Sequence, residues 1–340
     1  MKKLLLAMVV SVLFVGIVGA HADINYLLVP VGDAGNVNDD RWVSPGYGAV
    51  GYEYNMGKYM VTNAQYTEYL NKVAVTADPN GVYNADMADG AKVGGIVQTG
   101  APGSYAYHVR TPADTGGHPS DGSPYGSYRN FPVSFVSMKD GMRFANWMHN
   151  GQPTGAQDAS TTEDGVYDMS TYNYGDVVVR QAGAKYFMPT EDEWYKAAYY
   201  KGGGTDAGYF QYATSSDTFP TYGKPTSDPN YVCANRSAWP WDPELVNVGS
   251  YTGSASPYGT FDQNGLGWER SEAVDLASGK QIMRGGDYRG GLDGAEYRDI
   301  YPPQLEYGII GIRLGAEIPE PATLMLLGAG SLLLIRRKRR

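Results

Sequence analysis

Glycine and proline interrupt this chain throughout its length, with 45 glycines and 20 prolines among 340 residues. Glycine loses the most backbone freedom in a regular element, and proline lacks the amide hydrogen that helices and sheets use, so long elements are excluded. The hydrophobic share of 42% against 19% charged residues still supports a sizeable core and excludes wholesale disorder. The composition therefore predicts a loop-rich fold with short elements, in which 29 tyrosines supply rings with a polar tip.

Three short segments combine helical spacing of apolar residues with a residue that can cap the helix N-terminus. The caps and inward-facing residues are Thr62 or Asn63 with Tyr66, Leu70 and Val73; Ser137 and Asp140 with Met138, Met142, Ala145 and Met148; and Thr190 and Glu193 with Trp194, Ala197 and Ala198. Short strands are expected at residues 58–61, 177–180, 281–284 and 309–314. Few helices, short strands and much loop predict an irregular α+β domain rather than a parallel α/β fold.

The N-terminal segment, residues 1–22, has the three parts of a secretory signal peptide. Lys2 and Lys3 supply the positive start, residues 4–18 are almost entirely apolar, and Ala20 and Ala22 form a small-residue cleavage site. The alternative is a short membrane anchor. The polar turn that follows Asp23 favours cleavage and places the start of the folded domain, residues 23–317, just after the signal.

The C-terminal segment, residues 318–340, contains Pro319, Glu320 and Pro321, then an apolar run and five basic residues. The apolar run covers 14 residues, fewer than the roughly 20 that a membrane-spanning helix needs. The three parts together resemble a PEP-CTERM sorting tail. The resemblance implies an exported protein that the C-terminal segment anchors transiently in the membrane until an exosortase-type protease processes it. An ordinary tail anchor is the alternative.

Charge and cysteine content exclude several classes of function. The whole chain carries a net charge of −9. Without residues 1–22 and 320–340, the body keeps 20 basic and 35 acidic residues, a net charge of −15. This balance argues against a nucleic-acid partner and suits extracellular solubility or binding of a divalent cation. The single cysteine, Cys233, excludes an intrachain disulfide, a cysteine-based zinc site and a redox pair, and we expect it to be a small buried residue.

Six blocks, in this order along the chain, carry a family resemblance. They are GKYMVTN at 57–63 with Gln65 and Tyr66, PVSFVS at 132–137 with ANW at 145–147, FMPTEDEW at 187–194, WE at 268–269, RGGDY at 284–288 and GIRL at 311–314. The chain resembles the sulfatase-modifying factor, or formylglycine-generating enzyme, family. That resemblance implies a fold similar to that of C-type lectins. Arg284 and Arg313 within these blocks are expected to be buried and paired, because an unpaired buried charge is too costly to keep.

The residues that give this family its activity are missing. The enzymes oxidise a cysteine of a client sulfatase to formylglycine with two cysteines that hold copper(I), and those positions fall here on Gly290 and Ala295. The resemblance therefore implies no copper and no formylglycine-generating activity. Three histidines of the body, His108, His118 and His149, have no metal-binding spacing, and no hydrolase motif is present. A glycosidase carboxylate pair is not singled out by any pattern.

The resemblance leaves one metal site in place, a structural calcium site. Its ligands fall on Asn264, Gly265, Gly267 and Glu269, an amide, two backbone carbonyls and a carboxylate, which suit a hard cation. The alternative is a tight Asn-Gly turn with an exposed Glu269. The family's second calcium site is harder to place, with Asn235 as a candidate ligand.

The sequence thus predicts an exported, non-catalytic member of this fold that binds or supports an extracellular polysaccharide or a cell-surface protein. The many tyrosines favour the binding interpretation, since such rings recognise sugars as well as proteins. The alternative is an enzyme of unknown chemistry on the same fold.

Overall fold

The computed structural model describes residues 23–89, 93–115, 127–234, 245–290 and 294–318. Helices and strands in this part of the chain are short, as the glycine and proline content predicts. The α-helices are α1 (Asn63–Val73), α2 (Met138–His149) and α3 (Glu191–Tyr199), and 3-10 turns lie at Ala85–Ala88, Pro112–Thr115 and Tyr128–Asn130. The strands are β1 (Leu28–Val31), β2 (Tyr54–Gly57), β3 (Ile96–Thr99), β4 (Ala106–Val109), β5 (Thr221–Tyr222), β6 (Tyr231–Val232), β7 (Trp268–Asp275), β8 (Lys280–Arg284), β9 (Asp299–Tyr301), β10 (Ile310–Gly311) and β11 (Gly315–Glu317).

All three α-helices begin at the predicted caps. In each, the cap hydroxyl accepts a hydrogen bond from the backbone amide three residues on, and the side chain of that third residue accepts one from the backbone amide of the cap. The pairs are Thr62 with Gln65, Ser137 with Asp140, and Thr190 with Glu193. Each capping residue stabilises its helix by about 1 kcal/mol. The three helix predictions are confirmed.

The strands form four small sheets in the described part of the chain, in the orders β1-β2-β11, β10-β7-β8-β9, β3-β4 and β5-β6. Most neighbours are antiparallel, and only the β10–β7 and β5–β6 pairs are parallel. The β11 strand closes the first sheet by pairing with β2, so the two ends of the described chain meet there. The predicted α+β class is confirmed.

Two of the four predicted strands are wrong. The strand expected at residues 58–61 lies earlier, as β2. Residues 177–180 form no strand, and Val177 and Val179 are 62% and 75% exposed. Arg180, in contrast, turns inward to carboxylates of Glu193 and Glu272 at 3.0 and 2.8 Å. The side chains of this segment therefore alternate between outward and inward, as in a strand. The segment is nevertheless a loop, and the inward residue, Arg180, forms ion pairs.

The other two predicted strands are found. Residues 281–284 lie within β8. Residues 309–314 are only partly extended, because β10 ends at Gly311 and β11 begins at Gly315. Arg313 lies between these two strands and directs its guanidinium into the interior.

The main core surrounds α1 and α2. In α2 the predicted inward face is buried, but so are the other positions from Asp140 to Met148, and the helix is therefore an interior one. Four rings form its centre, with Tyr69 5.4 Å from Phe144 and 5.2 Å from Trp147, and Tyr66 5.8 Å from Phe144. A second cluster of tyrosines packs around α3, where Trp194, Ala197 and Ala198 are buried as predicted. These two cores hold the loops that carry the candidate sites.

Candidate functional sites

The loop that leads into β7 is held in a tight conformation by left-handed residues. Asp262, Gly265 and Leu266 have φ values of 66°, 81° and 63°. A Cβ on Gly265 would lie 2.3 Å from the carbonyl oxygen of Cys233, so only glycine fits there. Cys233 is buried, as predicted, and burial raises the pKa of its thiol to about 12.

The four predicted calcium ligands lie on this loop and at the start of strand β7. Asn264 is buried, and its side-chain oxygen accepts a hydrogen bond from the backbone of Ala213 at 2.5 Å. The carbonyl of Gly265 accepts from the amide of Gly267 at 2.8 Å. These oxygens therefore already accept hydrogen bonds within the protein.

Glu269 is fully buried and forms an ion pair with Arg313. Its Oε1 lies 2.6 Å from Arg313 Nη2, and its Oε2 lies 2.7 Å from Arg313 Nε, a two-pronged arrangement. The indole nitrogen of Trp194 donates a further bond of 2.7 Å to Oε2. The alternative of an exposed Glu269 is wrong. The pairing of Arg313 is confirmed, and the charge of Glu269 is balanced without a metal.

A small polar cavity lies beside the predicted ligands and includes a carboxylate that sequence analysis did not select. The cavity measures about 10 Å³, the size that holds one water, and its wall includes Asp262, Asn264, Thr214 and Ser254. Asp262 is buried and accepts a hydrogen bond of 2.7 Å from the amide of Gly249. Burial raises the pKa of Asp262 to about 6. The polar part of this wall offers oxygens of the kind that a hard cation prefers. In the described part of the chain, the carboxylate of Asp262 is not joined to a guanidinium by an ion pair, unlike that of Glu269.

Positions 290 and 295, where the family has its cysteines, lie on either side of a segment outside the described residues. Ala295 is fully buried in the tyrosine cluster of α3. Its carbonyl accepts a bond of 2.8 Å from Arg284, whose guanidinium also lies 2.7 Å from Glu191 and 4.3 Å from the ring centre of Tyr47. The predicted burial and pairing of Arg284 are therefore confirmed.

A groove of about 350 Å³ opens beside position 290. Its wall comes from four separate segments and consists of Asp86, Phe135, Arg289, Glu306, Tyr307, Gly308 and Ile309. Phe135 is nearly buried and has a φ of 61°, a strained value for a bulky residue. Tyr307 is half exposed and presents its ring to solvent. This volume lies within the range of about 300–1,000 Å³ that small-molecule sites occupy.

Glu306 is the half-buried acid of this groove. Its carboxylate accepts a hydrogen bond from the side-chain amide of Asn84. Burial raises the pKa of Glu306; the neighbouring Asp140 raises it further, and Arg270 opposes this with a smaller effect. Arg270 is itself buried and donates to backbone oxygens of Val136 and Leu305, residues adjacent to the groove wall. Sequence analysis missed the groove, because its residues lie far apart in the chain and carry no motif.

Histidines do not assemble into a site in the described part of the chain. His108 lies near Asp114 at 3.2 Å, and His149 accepts a hydrogen bond from the backbone of Lys185. His118 lies outside the described residues, as does Asn235. No group of three or more histidine, cysteine, aspartate or glutamate side chains that could hold a metal occurs among the described residues.

Two family models match this chain, one over the folded domain and one over the C-terminal tail. Residues 25–291 match the sulfatase-modifying factor enzyme 1-like domain, and residues 317–340 match the PEP-CTERM protein-sorting motif. The chain belongs to the sulfatase-modifying factor family. The resemblance deduced from the six blocks and from the tail is thus confirmed. No curated protein matches the sequence.

Solved structures show fold similarity at low sequence identity. CarF shares 18% identity over 86% of this chain and 99% of its own, with a TM-score of 0.48. Variable protein 1 of Treponema denticola shares 12% identity over 87% and 96%, with a TM-score of 0.49. PvdO from Pseudomonas aeruginosa shares 14% identity over 86% and 94%, with a TM-score of 0.45.

The sorting motif implies export, anchoring at the C-terminus and processing by an exosortase. Residues 319–340 and the predicted signal peptide at residues 1–22 lie outside the described residues. Among the residues that are described, no helix is long and apolar enough to cross a membrane.

Proposed function

We propose that this chain is an exported, non-catalytic member of the sulfatase-modifying factor family, and that it serves as a binding component of the cell surface or extracellular polymer. One observation carries the proposal: positions 290 and 295 are glycine and alanine, so neither can form the thiolate that a soft copper(I) ion requires. Ala295 instead packs among buried tyrosines.

The groove beside position 290 supports the binding half of the proposal. It joins an exposed ring, Tyr307, to a carboxylate, Glu306, on an open concave surface. Rings with polar neighbours recognise both sugars and proteins. A family member without its thiols but with a groove next to Arg289 is suited to hold a ligand without transforming it.

We expect the purified protein to leave a sulfatase-type cysteine peptide unchanged, with or without copper, because it lacks the thiol pair. Mass spectrometry of the peptide after prolonged incubation measures formation of formylglycine. A family enzyme that has both cysteines serves as the positive control for peptide and copper loading. Turnover above the peptide-only background would reject the non-catalytic proposal.

We also expect the mature protein to end near Pro321 and to lack residues 1–22 when it is made in a host with the matching exosortase. The sorting motif supports the first cut, and the small residues Ala20 and Ala22 support the second. Intact-mass measurement reports both ends at once. Replacement of Glu320 by alanine is the matched control and should leave the tail in place. Recovery of the complete tail from the unaltered protein in that host contradicts this expectation.

A further inference from the structure

The groove beside position 290 is lined by more carboxylates than guanidiniums. Its lining side chains carry two carboxylates, those of Asp86 and Glu306, and one guanidinium, that of Arg289. Arg289 is exposed, and its guanidinium lies 5.2 Å from the ring centre of Tyr288, at the edge of the groove. Glu306 is in the more buried position and forms no ion pair with any described residue.

The charges around Glu306 do not supply the cation that it needs. Asp140 lies behind it, buried at the start of α2, and Asp86 lies beside it. Arg270 is a positive neighbour, but it donates its hydrogen bonds to the backbone oxygens of Val136 and Leu305. A half-buried carboxylate in a negative surrounding is stabilised by a positively charged ligand group, since a charge removed from water requires a partner.

The aromatic wall completes the chemistry of the site. Tyr307 is half exposed, and the buried Phe135 also contributes to the wall of the groove. The apolar face of a sugar ring packs on such a ring, and an ammonium group is attracted to the face of a tyrosine or phenylalanine. A ligand that carries a flat apolar face and an ammonium group on the same unit can contact both the aromatic ring and the carboxylate of the groove.

We propose that the groove binds amino-sugar units of an extracellular polysaccharide, with the ammonium group on Glu306 and the sugar ring on Tyr307. This inference rests on the proposed binding function. The export implied by the sorting motif places the groove where such polymers occur. The net charge of −15 on the body also attracts a polycationic chain over a distance of about a Debye length.

A matched pair of ligands tests the proposal on the purified exported protein. Isothermal titration with a glucosamine tetrasaccharide and with its fully N-acetylated counterpart compares the same sugar backbone with and without the ammonium groups. We expect binding of the glucosamine form and at least about tenfold weaker binding of the acetylated form, because a charge-assisted hydrogen bond is lost.

Two substitutions locate the site. Glu306→Gln keeps the shape and removes the charge, so it should weaken glucosamine binding by about tenfold or more and leave the acetylated ligand unaffected. Tyr307→Ala should weaken both ligands, because both stack on the ring. Glu53→Gln, an exposed carboxylate outside the groove, is the control and should bind like the unaltered protein. Thermal melting confirms that each variant is folded.

Several results overturn the proposal. Equal binding of both tetrasaccharides means that the ammonium group is not recognised. Preference for a uronate oligosaccharide means that the groove selects anions. An oligolysine peptide that binds as tightly as glucosamine means that the site takes any cation. Unchanged binding in Glu306→Gln places the sugar elsewhere on the surface.

None of these results bears on formylglycine formation. Turnover of the cysteine peptide, in contrast, rejects the non-catalytic function and leaves the ligand class open to this same titration.

Discussion

Replacement of Glu269 by alanine is expected to lower the free energy of unfolding by about 3–5 kcal/mol, because it leaves a buried guanidinium without its counter-ion. Arg313 and Glu269 are both fully buried and paired through two short contacts. Trp194 would also lose the acceptor of its indole hydrogen. Urea denaturation followed by tryptophan fluorescence measures the change, and it should be the same in calcium and in chelator.

A double-mutant cycle separates the pair from a general packing defect. Arg313→Met alone should be strongly destabilising, because it leaves the carboxylate of Glu269 buried without a cation. The double variant Glu269→Leu with Arg313→Met removes both charges and should recover most of the lost stability. A cost below about 1 kcal/mol for Glu269→Ala, in the range of exposed ion pairs, would contradict the structural role assigned to this residue.

Helix starts were predictable from sequence, because a cap depends on residues three positions apart. Ser137 and Asp140 form the same hydrogen-bonded box in the structure as the spacing indicates. The extent of burial was not predictable in this way. All positions of α2 from Asp140 to Met148 are buried, because residues from distant segments of the chain pack with the helix in the main core. Strands were harder still: a strand exists only where a partner pairs with it, and Val177 and Val179 have none in the described chain.

The same contrast between local spacing and contacts of distant residues applies to the candidate sites. The family motif predicted that Arg313 is buried and paired, which is confirmed, but its pairing with Glu269 across 44 positions is visible only in the folded chain. Asp262 lies two positions before Asn264, yet no periodicity marks its burial beside a cavity. The groove is assembled from Asp86, Phe135 and Glu306, which belong to three distant segments. Local spacing carries no information about such an assembly.

Calcium is expected to stabilise the folded protein, and this stabilisation should depend on Asp262. We propose that a calcium ion is held by oxygens of the loop before β7. Of the four ligands that the family implies, Asn264, Gly265 and Gly267 supply neutral oxygens, whereas Glu269 stays in its ion pair with Arg313. Asp262 supplies the charged oxygen instead. A ligand that binds only the folded state stabilises it by about 2.7 kcal/mol at a hundredfold excess over its dissociation constant. The net charge of −15 on the body adds to the benefit of a bound cation. Thermal melting in calcium and in chelator measures this increment.

Two variants distinguish the carboxylates. Asp262→Asn keeps an acceptor for the amide of Gly249 and removes a charge that is costly to bury, so in chelator it should be as stable as the unaltered protein or slightly more stable. It should lose most of the calcium increment, because calcium prefers a carboxylate to an amide. Glu269→Ala should melt at a lower temperature in both conditions and keep most of the stabilisation by calcium.

If Asp262→Asn responds to calcium in full while Glu269→Ala does not, Glu269 is the charged ligand and Asp262 is not. If the unaltered protein melts at the same temperature in calcium and in chelator, the loop is a tight turn that binds no metal, and its cavity holds at most a water molecule.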